Sequence, residues 1–389
     1  MLNKQTYIKD VRLSGYKSIK NISCKLEDGL NIIIGNNGSG KSNLLEFIYK
    51  ILKRDYSGLD MFDASIEIFD NFILQNEHID TKFNHDTMWH AEGVISKESN
   101  DFENQGIAVV EPEKDKYVYI EFVKFNYPNR IGILSNEYSP KYNYKDKRFL
   151  VDSNEENIPL QIAFWLKTLF NLSYLEIIDN IDDLTDDYLY SSLHTFFREY
   201  FNDLRMGLQK STPVEDVRMS KSVRIVRLDS STLEFRNIVL EYKVNNEWFA
   251  WDALSDGTKR LIYTIFTISQ IEIKEGGKMN PYKFAPIVLI EEPEIGIHPH
   301  QLHLLLDFLK EKSKDQQIII TTHSPQVLDI LGPDELNKII IAEIDYENGT
   351  VLRHLNEEEI KKAQFYFKDK GLLSDYWRFS DFQRSSKIK

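Results

Sequence analysis

One stretch constrains this chain more than any other: Leu30-Asn31-Ile32-Ile33-Ile34, then Gly35-Asn36-Asn37-Gly38-Ser39-Gly40-Lys41-Ser42, then NLLEFIYKIL. The first run reads as a buried strand. Leu44, Leu45, Ile48 and Leu52 recur at helical spacing, so the segment predicts a strand, loop and helix unit. The loop is a full match to G-x-x-x-x-G-K-[ST]. Glycines let the backbone wind so that successive N–H groups face phosphate oxygens, and the following helix adds its positive N-terminal end. In that geometry Lys41 reaches the β- and γ-phosphates and the Ser42 hydroxyl sits on Mg²⁺. Asn36, Asn37, Gly38, Ser39, Gly40 and Asn43 complete the candidate cradle. The plainer alternative is a glycine-rich loop without a ligand. The placement between a buried strand and a helix is the context the phosphate reading requires.

Two further strand-like runs end in chemistry. Ala285-Pro286-Ile287-Val288-Leu289-Ile290 stops abruptly at Glu291-Glu292-Pro293-Glu294. Carboxylates at the C-terminal end of a parallel strand lie where α/β folds bind ligands. Glu291 is placed to hold Mg²⁺ directly or through water, and Glu292 to orient or deprotonate an attacking water. The run Gln317–Thr322 ends in His323-Ser324-Pro325, and His323 is placed to donate to a γ-phosphate or to hold that water. His298, His300 and His303 look like a metal cluster, but His298-Pro299 reads as a helix start.

Composition narrows the class. With 389 residues and 42% hydrophobic content the chain can bury one large core or two smaller ones. A net charge of -13 argues against indiscriminate attraction of nucleic acid. Cys24, the single cysteine, excludes an internal disulfide and a multi-cysteine metal site, and is expected to pack in a strand. No window approaches the ~18 consecutive apolar residues of a membrane span. The start MLNKQTYIKDVRL lacks an apolar signal region, so the expectation is a cytoplasmic protein with no membrane segment.

Short strand-like runs fill 88–150, where an extra sheet is expected, and 158–210 carries apolar residues at helical spacing. The expected organisation has an N-terminal half with the phosphate loop over 1–87 and an inserted β-rich segment over 88–157. A helical lobe over 158–215, a C-terminal half over 216–335 and a strand with a helical tail over 336–389 complete it.

The phosphate loop, LSDGT at 254–258, EEPE at 291–294 and THSP at 322–325, in that order, resemble the ABC-type ATPase head of the SMC, RecF and OLD-like branch. Within the branch the chain resembles AAA-family ATPases similar to the OLD ATPase and to ATPase subunits of bacterial anti-phage systems such as PARIS, Septu and retrons. The resemblance covers residues 6–52 and about 248–330. It implies an α/β fold: a P-loop NTPase head, with a mixed sheet flanked by helices, carrying the β-rich insert and helical lobe. It implies ATP and Mg²⁺ as ligands and makes Gly35–Ser42 the Walker A loop. Ser255 and Gly257 become signature contacts to a γ-phosphate, Glu291 the Walker B metal residue, Glu292 the catalytic glutamate, Glu294–His298 the D-loop and His323 the switch histidine. In Gly15-Tyr16-Lys17-Ser18, Lys17 and Ser18 look like the entry motif that touches nucleotide; a polar hairpin turn is the alternative. The chain departs from the usual pattern at Asp256, where Gly is common, and at Glu291, where Asp is. Gln161 is the one candidate for a Q-loop.

The function this implies is an ATPase that forms homo-oligomers by sandwiching ATP between one copy's Walker A loop and another's LSDGT. It would serve as the sensor or regulator of an anti-phage system whose effector, a nuclease or toxin, is a separate protein. The alternative is a RecF-like DNA repair ATPase. A nuclease in cis is not expected, since Glu343 and Asp345 read as a strand and its turn. DNA contact rests on Arg205, Lys210, Arg218, Lys221, Arg224, Arg227 and Arg236, and on Lys141, Lys145, Lys147 and Arg148, which either line a groove or are solvated faces.

Overall fold

A period of two in Phe62, Ala64, Ile66 and Ile68, all buried, turns the chain after the first helix into a long strand with one face inward. The computed structural model describes residues 6–76, 79–94, 108–110, 120–123, 141–143, 145, 148–150, 185–200, 202–237, 239–268, 287–368 and 371–379. Two units divide the chain, Met1–Lys124 with Pro281–Lys389, and Phe125–Asn280.

The first unit opens with β1 (Tyr7–Ser14), β2 (Ile22–Lys25), β3 (Leu30–Ile34) and α1 (Lys41–Leu52). β4 (Met61–Asn76), β5 (Ile79–Val94), β6 (Ala108–Val110) and β7 (Ile120–Val123) follow. An antiparallel sheet runs β2-β1-β4-β5-β6, with Val11 opposite both Cys24 and Ile66. Cys24 is buried on β2. Phe47 of α1 sits against this sheet, its ring 5.0 Å from Tyr16 and edge-on to Phe62 at 6.4 Å. The opposite side of α1 meets β7 through Tyr49 and Phe122, 5.5 Å apart.

The second unit holds β8 (Lys141–Asn143), β9 (Arg148–Leu150), α2 (Asp186–Tyr200) and α3 (Asn202–Ser211). It continues through β10 (Asp216–Met219), β11 (Arg224–Arg227), β12 (Thr232–Arg236), β13 (Leu240–Val244), β14 (Glu247–Ala250) and α4 (Asp256–Ile268). Its strands form two sheets, β10-β13-β14 and β11-β12-β8-β9. Several arginines considered for DNA are ion-paired here: Arg205 with Asp216 at 3.0 Å, Arg218 with Glu241 at 2.7 Å, Arg224 with Asp186 at 3.5 Å and Arg236 with Glu234 at 2.6 Å. Arg218 also stacks on Trp248. Lys147 and Gln161 lie outside the described residues.

The chain then returns to the first unit with β15 (Ile287–Glu291), α5 (Pro299–Lys312), β16 (Ile318–Thr322), β17 (Ile339–Asp345), β18 (Gly349–His354), α6 (Glu357–Lys368) and α7 (Leu373–Phe379). The main sheet runs β18-β17-β3-β16-β15-β7. Its strands are parallel except β18, which returns antiparallel to β17, so the α/β class with a mixed sheet holds. β3, β15 and β16 are covered on both faces, which is why their sequences are apolar runs without alternation. Within the 88–150 stretch read as an extra sheet, β8 and β9 do join a separate sheet through β12, whereas β7 does not. It is the parallel edge strand of the main sheet, with Ile120 opposite Ile287 and Val123 opposite Ile290. Glu343 lies on β17, and Asp345 takes the amides of Glu347 and Asn348 in the following turn, as expected. Among the described residues no helix is long and apolar enough to cross a membrane.

Candidate functional site

The sheet order sets β16 between β3 and β15, so three parallel strands end side by side, and each ends in polar chemistry. After β3 comes the phosphate loop. Gly38 has φ 81° and Gly40 φ 91°, left-handed values that side chains rarely adopt. A Cβ at Gly40 would stand 1.9 Å from the Thr350 hydroxyl, and one at Gly35 would stand 2.1 Å from the Ala342 carbonyl. At Gly38 it would meet open space. The C-terminal hairpin β17–β18 therefore presses on both ends of the loop and leaves its middle clear.

Lys41 is 4% exposed, and its Nζ donates to the carbonyls of Gly35 (2.8 Å) and Asn36 (2.9 Å). Burial pushes its pKa down, against the carboxylates of Glu292, Glu294 and Glu291, which push it up. The result is a desolvated ammonium held across the loop and in the field of the acidic strand end. The Ser39 hydroxyl is buried with no protein partner. Gly40 at the N-cap supplies no side-chain bond and the first turn of α1 carries no acid, which keeps the amides of that turn available to an anion.

Gly15-Tyr16-Lys17-Ser18 is a tight turn, with the amides of Gly15 and Tyr16 both donating to the Ile19 carbonyl. Lys17 is paired with Glu46 at 2.8 Å and lies over the Tyr16 ring. Burial alone would lower its pKa, but Glu46 and Tyr16 raise it. Ser18 accepts from the Asn43 side chain at 2.8 Å and shares a hydroxyl bond with Thr350. Asn43 is thus directed at Ser18, and both fasten the start of α1.

At the end of β15, Glu291 lies opposite Thr321 in register, and its neighbour Glu292 takes φ 46°, left-handed for a side chain. The Glu292 amide donates to the Thr321 carbonyl at 2.8 Å, which pins the acidic segment to β16. Nδ1 of His323 lies 3.4 Å from Glu292 Oε1 and 3.3 Å from Glu294 Oε1. Glu292 and His323 are therefore together, within reach of Lys41's field. His298 caps α5, its Nδ1 accepting from the His300 amide, and His303 pairs with Asp307 at 3.7 Å. These histidines are helix surface, as their spacing around Pro299 suggests.

For Mg²⁺ the donor set is oxygen only: Ser42 in the first turn of α1, Glu291, and beside it Thr321, whose hydroxyl is buried with no protein partner. Hydroxyls and a carboxylate suit a hard cation that takes its remaining ligands from phosphate and water, so these residues fit it.

In the second unit Ser255 caps α4. Its hydroxyl accepts from the Thr258 amide at 3.2 Å, and its carbonyl takes the Lys259 amide at 2.9 Å. Ser255 and Asp256 are exposed, and Gly257 opens the helix beside them. Asp256 is an acid in the first turn, favoured by the helix dipole, and Lys259 reaches the Asp252 carbonyl instead of Asp256.

Thr350, Thr321 and the detailed part of Glu294 are the residues that sequence reasoning passes over. Thr350 carries no local signal, since its partner Ser18 is 332 positions away.

The family described as AAA domain, putative AbiEii toxin, Type IV TA system, matches residues 30–329. The chain is 23% identical over 401 residues to the retron Vc95 probable ATPase of Vibrio cholerae, covering 88% of this chain and 75% of that protein. It is 23% identical over 353 residues to the Septu protein PtuA of Bacillus thuringiensis, covering 90% and 78%. Against an ATP/GTP phosphatase of Helicobacter pylori it is 24% identical over 383 residues, covering 90% and 93%.

Proposed function

The chain belongs to the AAA-domain family that matches residues 30–329 and is an ABC-type ATPase, and from that premise we propose that it is an assembly switch driven by ATP. The carrying observation is the convergence of buried Lys41, the acidic end of β15 and His323 at neighbouring strand ends. The amides of Asn36–Ser42 and the Lys41 ammonium hold the phosphates of ATP. Ser42 and Glu291 would hold Mg²⁺, which would supply neutralisation of the phosphate charge. Glu292 orients the attacking water and takes its proton as the bond to the β-phosphate breaks, yielding ADP and phosphate. His323 faces the γ-phosphate and stabilises its developing charge.

The Ser255 hydroxyl and the amides at the start of α4 are donors of the kind that bind a γ-phosphate. In this reading they act on the ATP of a second copy, so that two copies close on ATP and part when hydrolysis removes the phosphate. The relatives named for a retron and for Septu support a place in an anti-phage system, with a separate nuclease or toxin as the effector. The RecF-like repair reading is not favoured, because those relatives span most of both chains. DNA contact is not required by this account.

The test is phosphate release together with mass in solution. Lys41→Ala is expected to bind no ATP, and Glu292→Gln to bind ATP without hydrolysing it. Hydrolysis at the wild-type rate in Glu292→Gln would overturn the assignment.

A further inference from the structure

Glu294 holds no part in the proposed reaction, yet it is more enclosed than Glu292. Its side chain is 8% exposed, against 20% for Glu292. Its Oε1 accepts from the Thr322 hydroxyl at 2.5 Å and from the amides of His323 at 3.1 Å and Ser324 at 3.3 Å, and lies 3.3 Å from the His323 ring. Donors from three consecutive residues thus meet on one oxygen. Oε2 is buried with no protein partner. Burial of a carboxylate oxygen is tolerated where donors meet it, as they do at Oε1.

The backbone explains how Glu294 reaches the next strand. Glu292 at φ 46° and Gly296 at φ 72° turn the segment back over the sheet edge. The amides of Ile295 and Ile297 close that turn on the carbonyls of Glu292 and Glu294. Glu294 thereby ties the end of β15 to the end of β16. The imidazole Nδ1 faces two carboxylates, 3.4 Å from Glu292 and 3.3 Å from Glu294, which leaves Nε2 as the nitrogen turned away from them.

We propose that Glu294 is a positioning residue for ATP hydrolysis: it fixes the backbone and ring of His323 and so decides which ring nitrogen is presented to the γ-phosphate. This rests on the ATPase reading of the same site.

The experiment is a double-mutant cycle on single-turnover hydrolysis by the full chain, with ATP affinity and thermal midpoint measured on each variant. Glu294→Gln is expected to slow hydrolysis about tenfold or more while ATP affinity stays within about twofold, since misplacing a reacting group costs rate more than binding. The double variant Glu294→Gln with His323→Ala is expected to be no slower than His323→Ala alone, within about twofold, because both losses pass through one imidazole. Thr322→Val, which removes one donor to Oε1, is expected to show the same non-additivity and serves if Glu294→Gln does not fold. Rate losses that multiply in the double variants would overturn the proposal, as would a loss of rate matched by an equal loss of affinity or a lower thermal midpoint. Wild-type hydrolysis in Glu294→Gln alone overturns only the positioning role, whereas wild-type hydrolysis in Glu292→Gln overturns the site reading beneath it.

Discussion

The hydroxyls of Ser18 and Thr350 meet at 2.7 Å across 332 positions of sequence, and the Thr350 amide donates to the Ser18 carbonyl at 2.8 Å. Asn43 joins the same knot, so the entry turn, the first turn of α1 and the C-terminal hairpin share one hydrogen-bond network. Thr350 is fully buried. Thr350→Val keeps the shape and removes the bond, at a cost of about 1 kcal/mol. Nucleotide titration is expected to show affinity reduced about fivefold, and unchanged affinity would mean the hairpin does not support the loop.

Two glycines of the loop separate crowding from backbone conformation. Gly38→Ala meets only an unfavourable φ, which costs about 1–2 kcal/mol. Gly40→Ala meets the same penalty and a Cβ 1.9 Å from the Thr350 hydroxyl. Thermal denaturation is therefore expected to show the larger loss for Gly40→Ala, and paired with Thr350→Ser it should remain, because serine keeps the hydroxyl there.

Acid sensitivity is expected at a site away from the phosphate loop. Burial would raise the pKa of Glu335, but hydrogen bonds from Lys310, the Gly332 amide and Lys338 outweigh it and hold it at about 2. The folded value lies below the ordinary 4.5, so this carboxylate contributes stability that is fully present above that value and is lost as pH falls toward about 2. Glu335→Gln should be less stable at pH 7 and show a shallower decline between those pH values. Parallel stability curves for the two proteins would contradict this.

Ser255 has two separable duties. As the cap of α4, its replacement by alanine is expected to cost about 1 kcal/mol, read from thermal denaturation. Asp256→Ala should cost a few tenths of that through the lost dipole interaction alone. A loss at Asp256 exceeding that at Ser255 would point to a partner for Asp256 other than the helix.

Much of the first unit is legible in sequence because its signals are local. The run Leu30–Ile34, the glycine loop and the 3.6-residue spacing of α1 lie within 23 consecutive residues, and Phe62 to Ile68 announces a strand by alternation. The Ser255 cap is equally local. What sequence hides is pairing. Ile120–Val123 reads as one strand among several over 88–150, and nothing in it names β15 as the partner. Glu294 reads as one more acid in EEPE until the left-handed turn at Glu292 carries it onto Thr322, His323 and Ser324. Lys17 reads as an entry-motif contact to nucleotide or as part of a polar turn, and nothing local names Glu46, one turn into α1, as its ion-pair partner.

The central claim, that each ATP is completed by a second copy, is tested most directly by mixing two inactive variants. Lys41→Ala lacks the loop cation but keeps Ser255, while Ser255→Arg keeps the loop and blocks the donor. If the site is shared, a mixed pair regains one intact site, from the loop of one copy and Ser255 of the other. Phosphate release on mixing is expected to rise from near zero to about a quarter of the wild-type rate, since on the order of half the pairs are mixed and each carries one of two sites. A mixture as inactive as its separate components, with both variants folded, would contradict the account.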